Sequence, residues 1–315
     1  MKKKSFVFAL LAVASLMFSA MAGAGDIQVG LAWMGKSGSS KRILAVIEEE
    51  LKKMAPNIRL EVHGELESGE KLAEVVQHFQ KEKAGMIIFR SNGAEWLAKN
   101  PPSIPTFIGS VNHPGYLNVI KNLDAPEGNI TGSSFFVPAK TQFEIFRAII
   151  PDLKSVWLLL EKGHPGSAID QDQIKKYCGE LGIEYNESFS STREEVLAAV
   201  REAVKKGVSA ILVGTQAVTF DNARDIVAEA GKIPTFSFMS PPVKEGVLGG
   251  FLSDEDKLMH MLAESVVDVL IKGKAIKDVP VKFDTEPKFV LNEATANKLQ
   301  LTIPYEILQH ATIVR

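Results

Sequence analysis

The tetrapeptide Ile-Pro-Thr-Phe occurs twice in this chain, at residues 104–107 and again at residues 233–236. Two other apolar runs repeat at nearly the same spacing. VGLAW at 29–33 corresponds to VWLLL at 156–160, and GMIIF at 85–89 corresponds to SAILV at 209–213. Because three independent matches share offsets of 124 to 129 residues, the sequence predicts two similar halves.

Each half alternates short apolar runs with long amphipathic segments. In the first half we predict strands at 27–33, 58–62, 85–89 and 104–108, and helices at 40–54 and 69–83. The apolar runs are continuous rather than alternating, which is typical of parallel strands covered on both faces. The sequence therefore predicts an α/β protein with a doubly wound, Rossmann-like sheet in each half.

Composition restricts the class of protein further. The chain has 315 residues with 45% hydrophobic and 23% charged side chains, as in ordinary globular proteins, which argues against a disordered or fibrous chain. The formal net charge is −2, so no basic excess suggests a nucleic-acid partner. The one cysteine excludes an internal disulfide framework and a zinc site built from several cysteines.

The first 24 residues have the pattern of a secretory signal peptide. Three lysines at 2–4 precede an apolar run at 6–18, and Ala20 and Ala22 form a small-x-small cleavage pattern. The alternative, an uncleaved membrane anchor, needs about 20 apolar residues and the run is shorter. We therefore expect a cleaved, periplasmic protein, and no cysteine follows the segment to carry a lipid.

Three extended segments are candidates to connect the two lobes, at 131–138 (TGSSFFVP), 249–254 (GGFLSD) and 279–291 (VPVKFDTEPKFVL). Three crossings between two α/β lobes describe the type I periplasmic binding-protein fold. The expected boundaries are 25–133 with 252–285 for lobe 1, and 134–251 with 286–315 for lobe 2. Such folds bind ligand at the carboxyl ends of the strands, in a cleft lined by both lobes.

Several motifs follow one another in a characteristic order. GNITG at 128–132 is followed by a helical run ending in proline, QFEIFRAIIP at 142–151, and by KSV at 154–156, where the second lobe begins. LNEATA at 291–296 and LTIP at 301–304 lie near the C-terminus. This series resembles the solute-binding proteins of bacterial ABC transporters, in the branch that includes tryptophan and tyrosine binders.

The resemblance implies a function of binding rather than catalysis. A monomer would capture a small-molecule ligand, an amino acid with aromatic ones included, and deliver it to a membrane permease, with no cofactor and no metal. Members of this branch often carry an aspartate after the third strand of lobe 2, suited to a ligand ammonium group. This chain has Gly214, Thr215 and Gln216 there.

The candidate ligand contacts all follow predicted strands or lie on a crossing, where the cleft should be. They are Trp33, Gly35, Ser37, Ser91, Asn92, Ser110, Asn112, Ser133, Ser134, Phe135, Glu161, Thr215, Gln216 and Phe238.

Each candidate also has a structural explanation. The loop at 33–39 leads into a helix N-terminus, whose amides favour anions such as a carboxylate, but it is also an ordinary glycine-rich turn. The aromatic side chains of Trp33, Phe135 and Phe238 suit a flat ligand or packing within a lobe. Glu161 suits a ligand cation or a solvated loop, and serine and asparagine also cap helices.

Other functions have weaker support. Residues 30–37 match the phosphate-binding expression G-x-x-x-x-G-K-[ST], but 30–33 lie within the first predicted strand rather than in a loop. An exported hydrolase using Glu161 and His164 is another alternative, although no metalloprotease motif or nucleophile elbow is present. A sensor subunit of the same fold, presenting ligand to a receptor, remains the main alternative to import.

Overall fold

The computed structural model describes residues 25–315 and contains two α/β sheets, one parallel and one mostly parallel. The predicted signal peptide at 1–24 lies outside these residues. The six-stranded sheet has the order β11-β5-β4-β3-β1-β2, and each neighbouring pair is parallel. Its strands are β1 (Ile27–Met34), β2 (Ile58–Leu66), β3 (Gly85–Phe89), β4 (Thr106–Val111), β5 (Ile130–Ser134) and β11 (Lys282–Phe283).

The second sheet has seven strands in the order β13-β12-β10-β9-β8-β6-β7. Only the β10–β12 pair is antiparallel among its described pairs. The strands are β6 (Ser155–Glu161), β7 (Glu184–Ser190), β8 (Ala210–Val213), β9 (Thr235–Ser237), β10 (Gly249–Leu252), β12 (Lys288–Asn292) and β13 (Thr312–Val314).

Helices cover both faces of both sheets. Lobe 1, the first sheet with its helices, contains α1 (Gly38–Met54), α2 (Gly69–Glu82), α3 (Ser91–Lys99) and α10 (Glu255–Leu270), and a 3₁₀ turn at Ile276–Asp278. Lobe 2, the second sheet with its helices, contains α4 (Ala139–Ile149), α5 (Pro165–Leu181), α6 (Arg193–Lys206), α7 (Ala217–Phe220), α8 (Ala223–Ala230), α9 (Ser240–Lys244), α11 (Glu293–Lys298) and α12 (Tyr305–Leu308).

The duplication predicted from the sequence is confirmed by the order of the strands. The first five strands of each lobe lie in equivalent order, with β1 and β6 each flanked by the two strands that follow in the chain. The repeated tetrapeptide leads into β4 in lobe 1 and into β9 in lobe 2, which occupy equivalent positions. The predicted α/β class with two Rossmann-like lobes is therefore correct. The residue boundaries of the lobes stay a prediction.

Local chemistry explains where the helices begin. Ser37 accepts a hydrogen bond from the amide of Ser40 (3.1 Å), Ser68 accepts from Lys71 (3.3 Å), and Asp254 accepts from Lys257 (3.1 Å). The central strands β3 and β8 are apolar and are buried along their whole length. Within residues 25–315, no helix is both long and apolar enough to span a membrane.

The core of each lobe is divided by its sheet into two layers. In lobe 1, Ile43 and Ile47 of α1 pack with Leu262 of α10 on one face, and Phe79 of α2 packs on the other. Gly30 of β1 is required for this packing, because a Cβ atom there would lie 2.3 Å from Cδ2 of Phe79. This role accounts for the first glycine of the phosphate-loop expression.

The chain crosses between the lobes at three places, as predicted. The crossings follow β5, β10 and β11. Side chains tie them to one another. The hydroxyl of Ser253 donates to the carbonyl of Phe135 (3.2 Å), and the carboxylate of Asp284 accepts from the backbone amide of Asp254 (2.9 Å). Asp284 is buried, and its carboxylate also accepts from Lys257 (2.6 Å).

Candidate functional site

A polar cavity lies between the lobes at the carboxyl ends of their central strands. Its volume is only about 20 Å³, room for about one water molecule, so a larger ligand can enter only when the surrounding groups move apart. In lobe 1 it follows β1 and β3, where the strand order changes direction, and this switch point is the usual ligand position in such sheets. Its lining residues are Ser37, Ser39, Ser40, Arg90, Ser91, Ser110, Phe135, His164, Thr215, Phe220 and Met239.

Arg90 is the central charged group of the polar cavity. It follows β3 directly, is 9% exposed, and donates from Nη1 to the carbonyl of Met34. Within residues 25–315 its guanidinium forms no ion pair at salt-bridge distance. Burial lowers the pKa of Arg90, and the opposing charges of Glu161 and Asp221 raise it. Arg90 therefore presents a desolvated cation to the cavity, facing acids of lobe 2.

The N-terminus of α1 adds unpaired donors beside Arg90. The hydroxyls of Ser39 and Ser40 are buried and have no hydrogen-bond partner in the described part of the chain. No acidic residue lies in the first turn of this 17-residue helix. Amides and hydroxyls at a helix N-terminus favour an anion. The polar cavity thus combines three buried groups that a carboxylate satisfies.

Lobe 2 contributes a neutral imidazole and two acids. Burial, together with the charge of Arg90, lowers the pKa of His164 to about 3. Its Nδ1 accepts from the amide of Gly166 (3.1 Å), so it caps α5. Glu161 ends β6 and accepts from the amide of Val218 (3.4 Å). The imidazole of His164 is therefore uncharged at neutral pH. Glu161 and Asp221 supply the negative charge opposite Arg90.

A second cavity, here called the hinge cavity, lies beside the first crossing. Its volume is about 30 Å³, and it shares Phe135 and Thr215 with the polar cavity. Six of its eleven lining residues are apolar or aromatic, and the other five are polar or charged. The lining residues are Asn112, Phe135, Phe136, Val137, Ala139, Gln142, Asp170, Gln173, Ile174, Thr215 and Phe238.

Asp170 of α5 connects the lobes inside this region. One carboxylate oxygen accepts from Nδ2 of Asn112 in lobe 1 (2.9 Å). The other accepts from Oγ1 of Thr215 (2.9 Å) and from Nε2 of Gln216 (2.8 Å). Burial raises the pKa of Asp170, and the hydrogen bonds from Gln216, Thr215 and Asn112 oppose that effect. The loop after β8 has no aspartate of its own. Asp170 of α5 instead places a carboxylate against Thr215 and Gln216 of this loop.

A larger groove with a volume of about 750 Å³ leads away from the polar cavity. It shares Ser39 and Phe220 with that cavity and is lined by many charged residues. Most of these charges are already paired within the groove. Arg42 contacts Glu255, and Arg224 contacts Glu245 (2.7 Å). Because its charges satisfy one another, the groove is better suited to access than to tight binding.

The structure brings many of the predicted contacts together. Ser37, Ser91, Ser110, Phe135 and Thr215 line the polar cavity, and Asn112, Phe135, Thr215 and Phe238 line the hinge cavity. Gly35 lies against Arg90, whose Nη1 is 3.0 Å from the position of an added Cβ. Glu161 and Gln216 line neither cavity. Gln216 contacts Asp170 and Thr215, which line the hinge cavity.

Other predicted contacts have local structural roles. Asn92 accepts from the neighbouring amide of Gly93 (2.8 Å), as a turn residue does. Ser134 donates to the carbonyl of Asn112 (3.2 Å) and accepts from the amide of Phe136 (3.2 Å). Ser133 is buried within β5, and its hydroxyl has no partner among the described residues. These three residues line neither cavity.

Trp33 was predicted to face the cleft and instead packs in the core of lobe 1. It is 4% exposed, and its ring centroid lies 6.4 Å from that of Phe89. The indole fills the space left by Gly64, where a Cβ atom would be 2.2 Å from it. Of the three aromatic residues proposed to sandwich a ligand, only Phe135 and Phe238 share a cavity.

Sequence reasoning missed several residues of the site. The missed residues include Ser40, Arg90, Gln142, Asp170 and Phe220. One signal was available for Arg90, because a charged residue directly follows a fully apolar strand. None marked Asp170 and Gln142, which lie within helices.

Comparison with known proteins agrees with this architecture. A curated tyrosine-binding protein of Clostridioides difficile is 24% identical over 266 residues, covering 84% of this chain and 76% of that protein. A solved structure from Streptococcus pneumoniae, an ABC domain in complex with L-Trp, has a TM-score of 0.82 at 22% identity, covering 92% of this chain and 100% of that one. A conserved domain protein of Vibrio cholerae has a TM-score of 0.81 at 20% identity, covering 92% and 99%.

A family model assigns the function class. The model described as ABC transporter substrate binding protein matches residues 41–315, which include both sheets except for β1. The match therefore spans most of the described chain, with all the residues that line the hinge cavity and those of the polar cavity other than Ser37, Ser39 and Ser40. The chain belongs to the family of ABC transporter substrate binding proteins.

Proposed function

We propose that this protein captures an amino acid, aromatic ones included, in the polar cavity and delivers it to a membrane permease for import. The observation that carries the proposal is the buried guanidinium of Arg90 beside the unpaired hydroxyls of Ser39 and Ser40. Leaving buried donors unsatisfied is costly, so the cavity should strongly favour an anionic group. A ligand α-carboxylate supplies one with two acceptor oxygens, a geometry that guanidinium recognises.

The acids of lobe 2 suit the ammonium group of the same amino-acid ligand. In an amino acid the ammonium lies next to the carboxylate, so its partner must lie close to Arg90. Glu161 and Asp221 of lobe 2 act on the charge of Arg90 across the cleft. We assign the ammonium to these acids, which gives lobe 1 the carboxylate and lobe 2 the ammonium. A ligand that touches both lobes stabilises the closed form by its differential affinity for it.

Relatives support the choice of ligand class. The curated relative is named a tyrosine-binding protein, and one solved structure of the same fold holds L-Trp. We further propose that the protein acts as a monomer outside the cytoplasm, after removal of residues 1–24. The closed form would then dock on the permease, and the three crossings would accommodate the rotation of the lobes.

Calorimetric titration tests the ligand class. The protein comprising residues 25–315 is unfolded and refolded to remove carried-over ligand, then titrated with the L-amino acids and with D-glucose as a neutral polar comparison. We expect binding of one or a few amino acids and none of the sugar. Arg90→Gln should weaken that binding about 100-fold or more, because it removes a buried charge-assisted contact.

A matched variant separates the role of Arg90 from general effects of charge removal. Arg224→Gln removes an exposed arginine of the groove that pairs with Glu245, and it should bind like the wild type. Binding of the sugar alone, or full binding by Arg90→Gln, would contradict the proposal. Delivery is tested in proteoliposomes containing the cognate permease, where the liganded protein should stimulate ATP hydrolysis and the Arg90→Gln variant should not.

A further inference from the structure

The hinge cavity contains one buried acceptor whose hydrogen-bonding capacity is unused. Gln142 of α4 is 5% exposed, and its Nε2 donates to the carbonyl of Val137 (3.0 Å). The Oε1 atom is buried and has no partner in the described residues. Since a carbonyl only accepts, Val137 fixes the orientation of the amide and leaves Oε1 as the free atom. A buried, unpaired acceptor of this kind is costly to a protein and calls for a donor.

The other strong acceptor of the hinge cavity is already occupied. The carboxylate of Asp170 accepts hydrogen bonds from Asn112, Thr215 and Gln216. Its arrangement is therefore explained by contacts within the protein. Gln142 is not explained in this way, and its Oε1 is the acceptor to which a bound molecule would add a missing partner.

The walls around Gln142 restrict the body of such a molecule. Phe135 and Phe238 line the hinge cavity together with Ile174. Aromatic and aliphatic walls favour a flat apolar group, which gains contact area against the rings. Phe135 and Thr215 also line the polar cavity, so the hinge cavity adjoins the position of a ligand held at Arg90.

We propose that Gln142 is a specificity-determining residue that accepts a hydrogen bond from a donor at the far end of the ligand side chain. The proposal rests on the proposed function, in which Arg90 holds the α-carboxylate in the polar cavity. The preferred side chain then has a flat apolar body that ends in a hydroxyl or N–H group. Side chains of the same shape without the donor leave Oε1 unsatisfied and bind more weakly.

L-Tyrosine and L-phenylalanine form the matched pair for the test, because they differ by one hydroxyl. Calorimetric titration of the wild type should give at least about tenfold tighter binding of tyrosine. Gln142→Leu should bind tyrosine more weakly than the wild type does, and phenylalanine equally well or better. The ratio of the two affinities should fall to about one. The ratio is measured within each variant, so a general loss of stability cancels. Gln171→Leu, which removes an amide bonded to Glu187 outside both cavities, should keep the wild-type ratio.

The outcomes separate this inference from the proposed function. Equal binding of tyrosine and phenylalanine by the wild type, or a tyrosine preference that survives in Gln142→Leu, would overturn the role of Gln142 and leave the amino-acid function intact. Binding of an amino acid without such a side chain, with neither member of the pair bound, would do the same. Failure of every amino acid to bind would overturn the proposed function and this inference with it.

Discussion

The side-chain amide of Asn112 in lobe 1 donates a hydrogen bond of 2.9 Å to the carboxylate of Asp170 in lobe 2, and both residues are buried. The amide oxygen of Asn112 accepts from the backbone amide of His113 (2.8 Å), which fixes the side chain toward Asp170. A rotation that opens the cleft at this point would separate the two side chains. We therefore expect the bond to favour the arrangement described here over a more open one.

Asn112→Ala should weaken ligand binding by about tenfold or more. A hydrogen bond to a charged group contributes about 1.5–3 kcal/mol, and this one is lost whenever the cleft opens. Small-angle scattering with saturating ligand should show a larger share of the open form than in the wild type. Asn92→Ala is the control, because Asn92 bonds only within its own turn. Equal affinities of the wild type and Asn112→Ala would show that the contact does not hold the lobes together.

Arg90 has a backbone conformation that favours glycine, with φ of 73° and ψ of 153°. Such conformations cost about 1–3 kcal/mol in other residues and persist where function requires the side chain. Arg90→Gly should abolish ligand binding while the free energy of unfolding stays equal to that of the wild type or rises. Arg90→Gln keeps the strain and should be less stable than Arg90→Gly in urea unfolding. A glycine variant that is clearly less stable would refute the argument from strain.

His164 should make the protein sensitive to mild acid. Its pKa in the folded protein is about 3, against about 6.5 in the unfolded chain. As the pH falls below 6.5, the unfolded chain binds a proton that the folded protein excludes, so stability is lost down to about pH 3. Between pH 7 and pH 5 this one group should account for about 1–2 kcal/mol, at about 1.4 kcal/mol per pKa unit.

His164→Asn isolates that contribution, because asparagine also caps a helix N-terminus. Urea unfolding at pH 7 and pH 5 should show a smaller acid loss in His164→Asn than in the wild type. His310→Asn, at an exposed position, is the matched control and should follow the wild type. If the wild type and His164→Asn lost the same free energy of unfolding between pH 7 and pH 5, His164 would not be the source of the acid sensitivity.

Gly30→Ala should destabilise lobe 1 by about 1–3 kcal/mol, as overpacking of a core usually does. The added methyl group would lie 2.3 Å from the ring of Phe79, which is fully buried and cannot move aside. Gly179→Ala is the comparison, since no atom lies within 4 Å of a Cβ atom there. That helical position should gain up to about 1 kcal/mol. Thermal unfolding of the two variants should therefore shift in opposite directions.

The fold was predictable from the sequence because it depends on patterns that many residues share. The repeated runs GMIIF and SAILV became β3 and β8, which are buried throughout, and the serine and aspartate caps mark helix starts. The position of the cleft followed from the fold, since both cavities lie at strand ends and crossings. These features tolerate errors of one or two residues in the bounds of an element.

The individual contacts were harder to predict because they depend on the direction of single side chains. Trp33 turns into the core since Gly64 leaves room for its ring on the neighbouring strand. Asp170 and Gln142 reach their positions from helices, and nothing in the periodicity marks which turn of a helix faces the cleft. Such contacts depend on tertiary packing, which a linear pattern does not contain.

The ties among the crossings have a mechanical consequence. Three unconnected strands would each twist on their own and would let the lobes slide sideways as well as open. Ser253 is tied to Phe135 and Asp284 to Asp254, so neighbouring crossings must bend together. We expect these ties to favour one common rotation of the lobes over separate movements of each crossing. The surfaces of the two lobes should then return to a similar alignment each time the cleft closes.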